Sequence, residues 1–133
     1  MQQLLRELRA VHDIRHGFRQ SLAEPGGEER LASAISENPP VSHPLVRTHE
    51  DSGREAIYVN PLFTTHIEGL SALESDALLE FLFRHVQLDE FTVRLRWRPK
   101  MMAIWDNRSV QHRPINDYFP AERRQHRVTI ASV

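Results

Sequence analysis

Several features that define common classes of protein are missing from this sequence. It contains no cysteine, so disulfides, thiolate zinc sites and cysteine nucleophiles are excluded. Any bound metal must then be held by His, Asp or Glu, which favours iron, manganese or a histidine-rich zinc site. Neither a glycine-rich phosphate loop nor a Gly-x-Ser-x-Gly motif occurs, and this weakens interpretations as a hydrolase.

The sequence also lacks an excess of charge of either sign and any long apolar run. Its 17 basic and 18 acidic residues give a formal net charge of −1, which provides no reason to expect nucleic-acid or anionic-membrane binding. It has no apolar run of about 18 residues, so we expect no membrane span. The charged, helix-patterned N-terminus is unlike a signal peptide, and we expect a cytoplasmic location.

The length and the hydrophobic pattern indicate a single domain of the α+β class. The 133 residues suffice for one core, so residues 1–133 are assigned to one domain. The connections are too short for helical crossovers, so we expect mainly antiparallel strands with flanking helices. Residues 14–27 are predicted to be irregular. Predicted helices span residues 1–13, 28–37 and 72–87, and predicted strands span residues 43–48, 54–60, 91–97, 101–105, 109–113 and 126–131.

Two local signals support this assignment. Ser71 followed by Glu74 is a capping box, which begins the helix over residues 72–87. Residues 49–53 are typical of a turn, so the strands on either side of them are predicted to form a hairpin. The predicted apolar stripe of the capped helix consists of Leu73, Ala77, Leu78, Phe81 and Leu82.

The stretch from residue 105 to residue 127 carries most of the chemistry that the sequence offers. His112 lies after a short apolar run, and Arg123 and Arg127 follow it. A neutral imidazole is a common ligand of redox-active metals, and arginine holds carboxylates and oxyanions through paired hydrogen bonds. Arg123 also fits a solvated charge cluster, whereas Arg127 is predicted to begin an apolar strand, where a buried arginine needs an anion. The pattern indicates a site for an anionic organic acid beside a metal.

A second pattern with metal-ligating chemistry is His49-Glu50-Asp51. It matches His-x-Asp, which supplies two of the three ligands in a facial-triad iron site. We reject it as the metal site because it lies in the predicted hairpin turn beside Ser52 and Gly53, where Asp and Ser are expected for backbone reasons.

Several short segments, each present once, follow one another in a distinctive order along the chain. The most specific is Trp105-Asp106-Asn107-Arg108, then Gln111-His112, then His126-Arg127-Val128-Thr129-Ile130. Others are His43-Pro44-Leu45-Val46-Arg47-Thr48-His49, Tyr58-Val59-Asn60, Phe63-Thr64-Thr65, Ala77-Leu78-Leu79, Phe81-Leu82-Phe83 and Asp117-Tyr118. Together they resemble the taurine dioxygenase (TauD/TfdA) family of Fe(II)- and 2-oxoglutarate-dependent oxygenases. The resemblance implies a double-stranded β-helix, or jelly roll, and an oxidoreductase with Fe(II) as metal and 2-oxoglutarate as co-substrate.

The resemblance also implies roles for individual residues. His112 matches the distal histidine of the family's iron triad, and Arg123 matches the arginine that pairs with a carboxylate of 2-oxoglutarate. Arg127 matches the arginine that holds the substrate's sulfonate in taurine-using members. Phe63 and Phe18 match aromatic residues that line the substrate pocket. The implied partner is therefore a small anionic organic substrate, such as a taurine-like sulfonate.

One departure from the family's pattern limits these roles. In the family, His-x-Asp and a threonine that contacts 2-oxoglutarate precede the region that matches residue 1, and His49-Glu50-Asp51 aligns with a hairpin turn. The sequence is therefore expected to be the C-terminal part of a jelly-roll dioxygenase without two of its three iron ligands. We expect the isolated chain to be inactive, and to self-associate because half a jelly roll exposes sheet edges and apolar faces.

Three functional hypotheses remain open. In the first, the chain carries the family's activity, the hydroxylation of a small sulfonate or similar anion, and another chain supplies the missing ligands. In the second, which we favour for the chain by itself, it is a truncated, non-catalytic remnant. In the third, it is a binding module that keeps an anion site with two arginines but has no redox chemistry.

Overall fold

The fold combines short helices with small antiparallel sheets. The structure, a computed structural model, describes residues 1–130. Its helices are α1 (Gln2–Glu7), α2 (Ile14–Gly17), α3 (Arg19–Ala23), α4 (Gly27–Glu37) and α5 (Ala72–His85), with a 3-10 turn over Asp89–Phe91. Its strands are β1 (Arg9–His12), β2 (Val41–Pro44), β3 (Val46–Thr48), β4 (Glu55–Ile57) and β5 (Thr64–Ile67). Among the described residues, no helix has the length and apolar character needed to span a membrane.

The central strand β1 corrects the prediction of one helix over residues 1–13. The helix α1 ends at Glu7, and β1 then pairs antiparallel with β2 on one side and with β5 on the other. Ala10 lies opposite both His43 and Ile67 and is completely buried. Residues 9–12 form a strand because pairing on both edges supplies backbone hydrogen bonds. The helix propensity of the sequence is weak compared with such tertiary contacts.

The predicted hairpin is confirmed, although its strands are shorter than residues 43–48 and 54–60. β3 and β4 pair antiparallel, with Val46 opposite Ile57. The buried Leu45 separates β2 from β3, and its backbone links the two sheets: its N–H donates to Leu8 at 2.9 Å, and its carbonyl accepts from the N–H of Tyr58 at 2.8 Å. The chain thus changes sheets at one fully buried leucine.

The helix α5 begins where the capping box predicts, but it buries a different face. The Ser71 and Glu74 side chains make both reciprocal bonds of the box. Leu73 is 82% exposed and Phe81 is 51% exposed, so the predicted apolar stripe is wrong in these two members. The buried residues are Ser75, Leu79 and Leu82, because the Ser75 hydroxyl accepts the Ile67 N–H at 2.9 Å and fixes the helix against β5.

Short helices occupy most of the chain between β1 and β2. Residues 14–27, predicted to be irregular, form the short helices α2 and α3 and the start of α4, while the predicted helix over residues 28–37 is confirmed as α4. Gly27 lies so close to α3 that an added Cβ would fall 2.0 Å from the carbonyl oxygen of Ser21.

One hydrophobic core joins the helices and strands. Its buried residues are Leu5, Ala10, Leu45, Val59, Ile67, Leu79 and Leu82.

Residues 92–130 contain no helix or strand. The strands predicted over residues 91–97, 101–105 and 109–113, and over the described part of 126–131, are therefore wrong for this structure, and Ala131 lies outside the described residues. Their apolar residues are open to solvent: Val93, Ile104, Val128 and Ile130 are 85–92% exposed. A strand needs a neighbour to accept and donate its ladder hydrogen bonds, and none is present for these segments within residues 1–130.

Candidate functional site

His112 lies beside an aromatic ring in a compact loop. Its ring centroid is 5.0 Å from that of Trp105, and the indole N–H of Trp105 donates to the Asn107 side chain at 2.9 Å. The Asp106 carbonyl accepts the N–H of Val110 at 2.9 Å, which closes the loop between the two rings. The His112 side chain itself is exposed, so the loop presents an imidazole that is open to solvent.

Asp106 and Arg108, in the same loop, bind each other and the β3–β4 turn. The Arg108 Nε donates to both carboxylate oxygens of Asp106, at 3.0 and 3.2 Å. The Asp106 Oδ2 also lies 2.9 Å from His49 Nε2, and an Arg108 guanidinium nitrogen lies 2.6 Å from Asp51 Oδ2. Hydrogen bonds from Arg108, and then from His49, hold the pKa of Asp106 well below its usual range, and Asp106 and Asp51 raise the pKa of Arg108.

The His49-Glu50-Asp51 segment thus contacts the C-terminal part of the chain. The N–H of Ser52 donates to His49 Nδ1 at 3.2 Å. Because Nδ1 accepts this bond, Nε2 is the ring nitrogen that can donate to Asp106. The sequence interpretation placed these residues in the turn but missed their partners. The sequence predicts a turn over residues 106–108 and a family signature in the Trp-Asp-Asn-Arg segment, but neither indicates its interaction with the β3–β4 turn.

Arg123 and Arg127 differ in their surroundings. The Arg123 side chain is half-buried, with its guanidinium 5.6 Å from the Tyr118 ring centroid and a hydrogen bond of 2.6 Å to the Gln125 side-chain oxygen. Arg127 is exposed and lies in irregular chain. The expectation that Arg127 begins a buried strand is therefore wrong, because residues 126–130 have no paired neighbour in the described part of the chain.

Phe63, one of the two aromatic residues implied to line a substrate pocket, packs on the residue next to the other, Phe18. Phe63 packs on Gly17, the residue before Phe18, so closely that a Cβ on Gly17 would be 3.0 Å from its ring. The Asn60 side chain accepts the N–H of Phe63 at 2.8 Å, and the Phe63 carbonyl accepts the N–H of Asp13 at 2.9 Å. Phe63 is half-buried, whereas Phe18 is 39% exposed.

The structure brings some of these side chains together and leaves others apart. His112 contacts Trp105, Arg123 contacts Tyr118, and Phe63 contacts Gly17, but within residues 1–130 no hydrogen bond or ring contact joins these three groups. The described residues also contain no group of three or more His, Asp or Glu side chains that could hold a metal ion. His112 has the chemistry of one iron ligand, but the donor set described does not complete a metal centre.

A cluster of aromatic and basic side chains on β1, β2, β3 and the residue after β4 was missed by the sequence interpretation. The ring centroids of His12, His43 and Tyr58 lie 5.2–5.4 Å from one another, and the Arg47 guanidinium lies 4.7 Å above the tyrosine ring. Burial, followed by the neighbouring His43, lowers the pKa of His12, and burial, followed by Arg47 and Arg9, lowers that of His43. The alternation of side chains along two paired strands is the signal that would have found it.

Comparison with known proteins identifies the family. A sequence model described as "Taurine catabolism dioxygenase TauD, TfdA family" matches residues 1–129. The chain belongs to this family. An alpha-ketoglutarate-dependent sulfonate dioxygenase of Saccharomyces cerevisiae in the comparison is 35% identical over 133 residues, which cover 97% of this chain and 30% of the relative.

Two further similar proteins are also dioxygenases or were crystallised with a metal ion and N-oxalylglycine. An alpha-ketoglutarate-dependent sulfate ester dioxygenase of Pseudomonas putida is 43% identical over 89 residues, which cover 67% of this chain and 29% of the relative. The crystal structure of AAD-2 in complex with Mn(II) and N-oxalylglycine has a TM-score of 0.56 and 27% identity, over 73% of this chain and 36% of that chain. The chain spans about a third of the length of these proteins. The family and its named relatives are dioxygenases, which are oxidoreductases.

Proposed function

We propose that the chain is the C-terminal part of a dioxygenase of the taurine dioxygenase type, dependent on Fe(II) and 2-oxoglutarate. The reaction couples oxidative decarboxylation of 2-oxoglutarate to hydroxylation of a small sulfonate or similar organic anion. The observation that carries the proposal is the ordered series of Trp105, His112, Arg123 and Arg127 within a family match over residues 1–129. The alpha-ketoglutarate-dependent sulfonate and sulfate ester dioxygenases among the relatives support this class of substrate.

In this proposal, the two arginines bind different anions. Arg123 takes a carboxylate of 2-oxoglutarate, because the residue is half-buried and its guanidinium lies 5.6 Å from the Tyr118 ring centroid. Arg127 takes the anionic head group of the substrate, and it lies four residues further along the chain. A planar guanidinium can bind a carboxylate or a sulfonate through two parallel hydrogen bonds.

His112 is proposed as one ligand of the iron. A facial-triad centre needs a preorganised set of three ligands with open positions, and the described residues do not gather three. The remaining ligands would therefore have to come from outside the described residues, and we expect the isolated chain to be inactive. Phe63 and Phe18 are proposed to line the substrate pocket, because the contact of Phe63 with Gly17 holds both in one region.

An anion-binding module without redox chemistry is the second candidate. It is favoured by the exposed imidazole and guanidinium groups of His112 and Arg127, which stand outside any described metal centre. A non-catalytic remnant is the third, and the exposed apolar side chains of residues 92–130 favour it.

Two assays on the purified chain test the proposal. Succinate formation with Fe(II), 2-oxoglutarate and taurine is expected to be absent, and robust turnover would contradict the missing-ligand account. Titration of taurine and of 2-oxoglutarate without metal is expected to give saturable binding. Arg127→Ala should weaken taurine binding and leave 2-oxoglutarate binding unchanged, whereas the absence of a saturable signal for either ligand would identify the chain as a remnant.

A further inference from the structure

The geometry points to a clasp of four side chains that fixes the loop carrying His112 onto the β3–β4 turn. We call His49, Asp51, Asp106 and Arg108 the hairpin clasp. Its contacts stand on their own, but its importance for function rests on the proposed role of His112. The clasp residues are positioning residues, because they act through the loop and not through contact with substrate.

The clasp joins parts of the chain that are far apart in sequence. His49 to Asp106 spans 57 positions at 2.9 Å, and Asp51 to Arg108 also spans 57 positions at 2.6 Å. A hydrogen bond inside one turn can arise from local geometry alone. Two parallel contacts at the same long separation instead define a docking register between the turn and the loop.

The charged groups of the clasp are connected through shared hydrogen bonds. Arg108 lies between the carboxylates of Asp106 and Asp51 and contacts both. The His49 side chain is only 14% exposed, and it donates to the Asp106 oxygen that Arg108 also binds. Charge-assisted bonds that share one carboxylate restrain its orientation more than a single exposed pair does. Asp106 is consequently fixed from two sides.

A second anchor lies on the other side of the loop. The Gln111 side-chain nitrogen donates to the Val59 carbonyl at 2.6 Å, and Val59 belongs to the buried core. Residues 106 and 111 are thus tied to the hairpin and to the core, and His112 follows directly after the second anchor. The loop between the anchors keeps the rings of Trp105 and His112 in contact at 5.0 Å.

These side-chain bonds connect the loop to the hairpin and to the core. Residues 92–130 have no strand ladder, so side-chain bonds must supply what backbone pairing does not. The clasp gives the β3–β4 turn a second task besides reversing the chain. Its acidic and imidazole groups hold the Trp-Asp-Asn-Arg segment, and through that segment they set the position of His112.

Fluorine NMR of a single tryptophan tests the clasp without metal or co-substrate. The sequence has two tryptophans, so a Trp97→Phe chain labelled with 5-fluorotryptophan reports on Trp105 alone. In this background, Asp106→Asn and Arg108→Gln are expected to move the Trp105 signal to its position in the urea-denatured chain. Asp117→Asn is the matched control, since Asp117 forms an exposed pair with Arg94 in the same irregular segment, and it should leave the signal in place.

Two substitutions at position 49 distinguish loss of the hydrogen bond to Asp106 from general destabilisation of the fold. His49→Gln keeps a side-chain N–H donor for Asp106 and is expected to retain the folded Trp105 signal, whereas His49→Ala is expected to lose it. Far-UV circular dichroism with an unchanged melting transition confirms that the core, which includes Leu45 and Leu82, remains folded.

The outcomes are distinct from those of the functional assays. A Trp105 signal that stays at its wild-type position in both Asp106→Asn and Arg108→Gln overturns the clasp, whatever the chain binds. Equal loss in His49→Gln and His49→Ala would also contradict it, because the donated hydrogen bond would then be irrelevant. Failure of 2-oxoglutarate or taurine to bind would instead overturn the proposed function and leave the clasp standing.

Discussion

At the scale of single residues, the surroundings of His12 oppose its ionisation. Its Nε2 atom is buried and has no hydrogen-bond partner among residues 1–130. Burial, followed by the charge of His43, lowers the pKa of His12 below its usual value of 6.5, while a backbone group of Tyr58 acts in the opposite direction. His43 is shifted the same way by burial, Arg47 and Arg9. The folded chain therefore favours two neutral rings.

This predicts a loss of stability on acidification. As the pH falls through about 6.5, the unfolded chain takes up protons that folded His12 and His43 resist, so protons favour unfolding and the melting temperature falls. Thermal melts between neutral and mildly acidic pH measure the effect. His12→Phe keeps an aromatic ring in the cluster without a proton site, and its melting temperature should depend less steeply on pH. An identical pH dependence in both chains would contradict the assignment.

The clasp also belongs to the residue scale, and it shows how far the sequence could predict the site. The residue types of His112, Arg123 and Arg127 are visible in the sequence, and their spacing led to roles for each. The partners of His49 and Asp51 lie 57 positions away, and no local pattern encodes such a contact. The turn-forming residue types at positions 49–53 therefore predict the turn but not its long-range contacts with Asp106 and Arg108.

At the scale of secondary-structure elements, the α3–α4 corner depends on close backbone approach. Gly27 is buried at the first position of α4, and a Cβ there would lie 2.0 Å from the Ser21 carbonyl oxygen. That oxygen belongs to backbone and cannot move aside as a flexible side chain would. The two helices consequently pack only with glycine at this position.

Gly27→Ala is therefore expected to destabilise the chain. Overpacking of this kind typically costs about 1–3 kcal/mol in the free energy of unfolding. Urea denaturation measures the change, with Glu28→Ala as control because Glu28 is the next residue of α4 and is exposed. A Gly27→Ala chain as stable as the control would show that α3 and α4 do not pack as described.

The elements themselves divide into those that the sequence could and could not predict. The start of α5 is encoded locally by Ser71 and Glu74, and it was predicted correctly. β1 was predicted as helix because Leu8 and Val11 continue a helical spacing, whereas its strand form comes from β2 and β5, which lie far along the chain. The strands predicted after residue 91 alternate correctly, but in this structure they have no neighbours with which to pair.

At the scale of the whole molecule, the central feature is a folded N-terminal body followed by a segment whose large apolar side chains are exposed. Met102, Phe119 and Val128 are each more than 80% exposed. Soluble monomers rarely leave large apolar patches uncovered, and unpaired strand-like segments favour association.

We therefore expect the purified chain to self-associate. Size-exclusion chromatography with light scattering should give a mass that rises with protein concentration. Replacing Met102 and Val128 by Ser should lower the associated fraction, whereas replacing the buried Leu82 is unsuitable because it would unfold the core. A monodisperse monomer of 15.5 kDa at all concentrations would contradict the expectation.

The central claim is that the segment after residue 105 forms one side of a 2-oxoglutarate site, and Arg123 tests it most directly. Calorimetric titration of the chain with 2-oxoglutarate should show saturable binding that Arg123→Ala weakens by about ten- to a hundredfold, the loss expected for a charge-assisted hydrogen bond of about 1.5–3 kcal/mol. Arg124→Ala removes the neighbouring guanidinium, which pairs with Glu122 on the surface, and should leave the affinity unchanged. Equal affinity in the wild-type and Arg123→Ala chains, or equal losses in both variants, would contradict the claim.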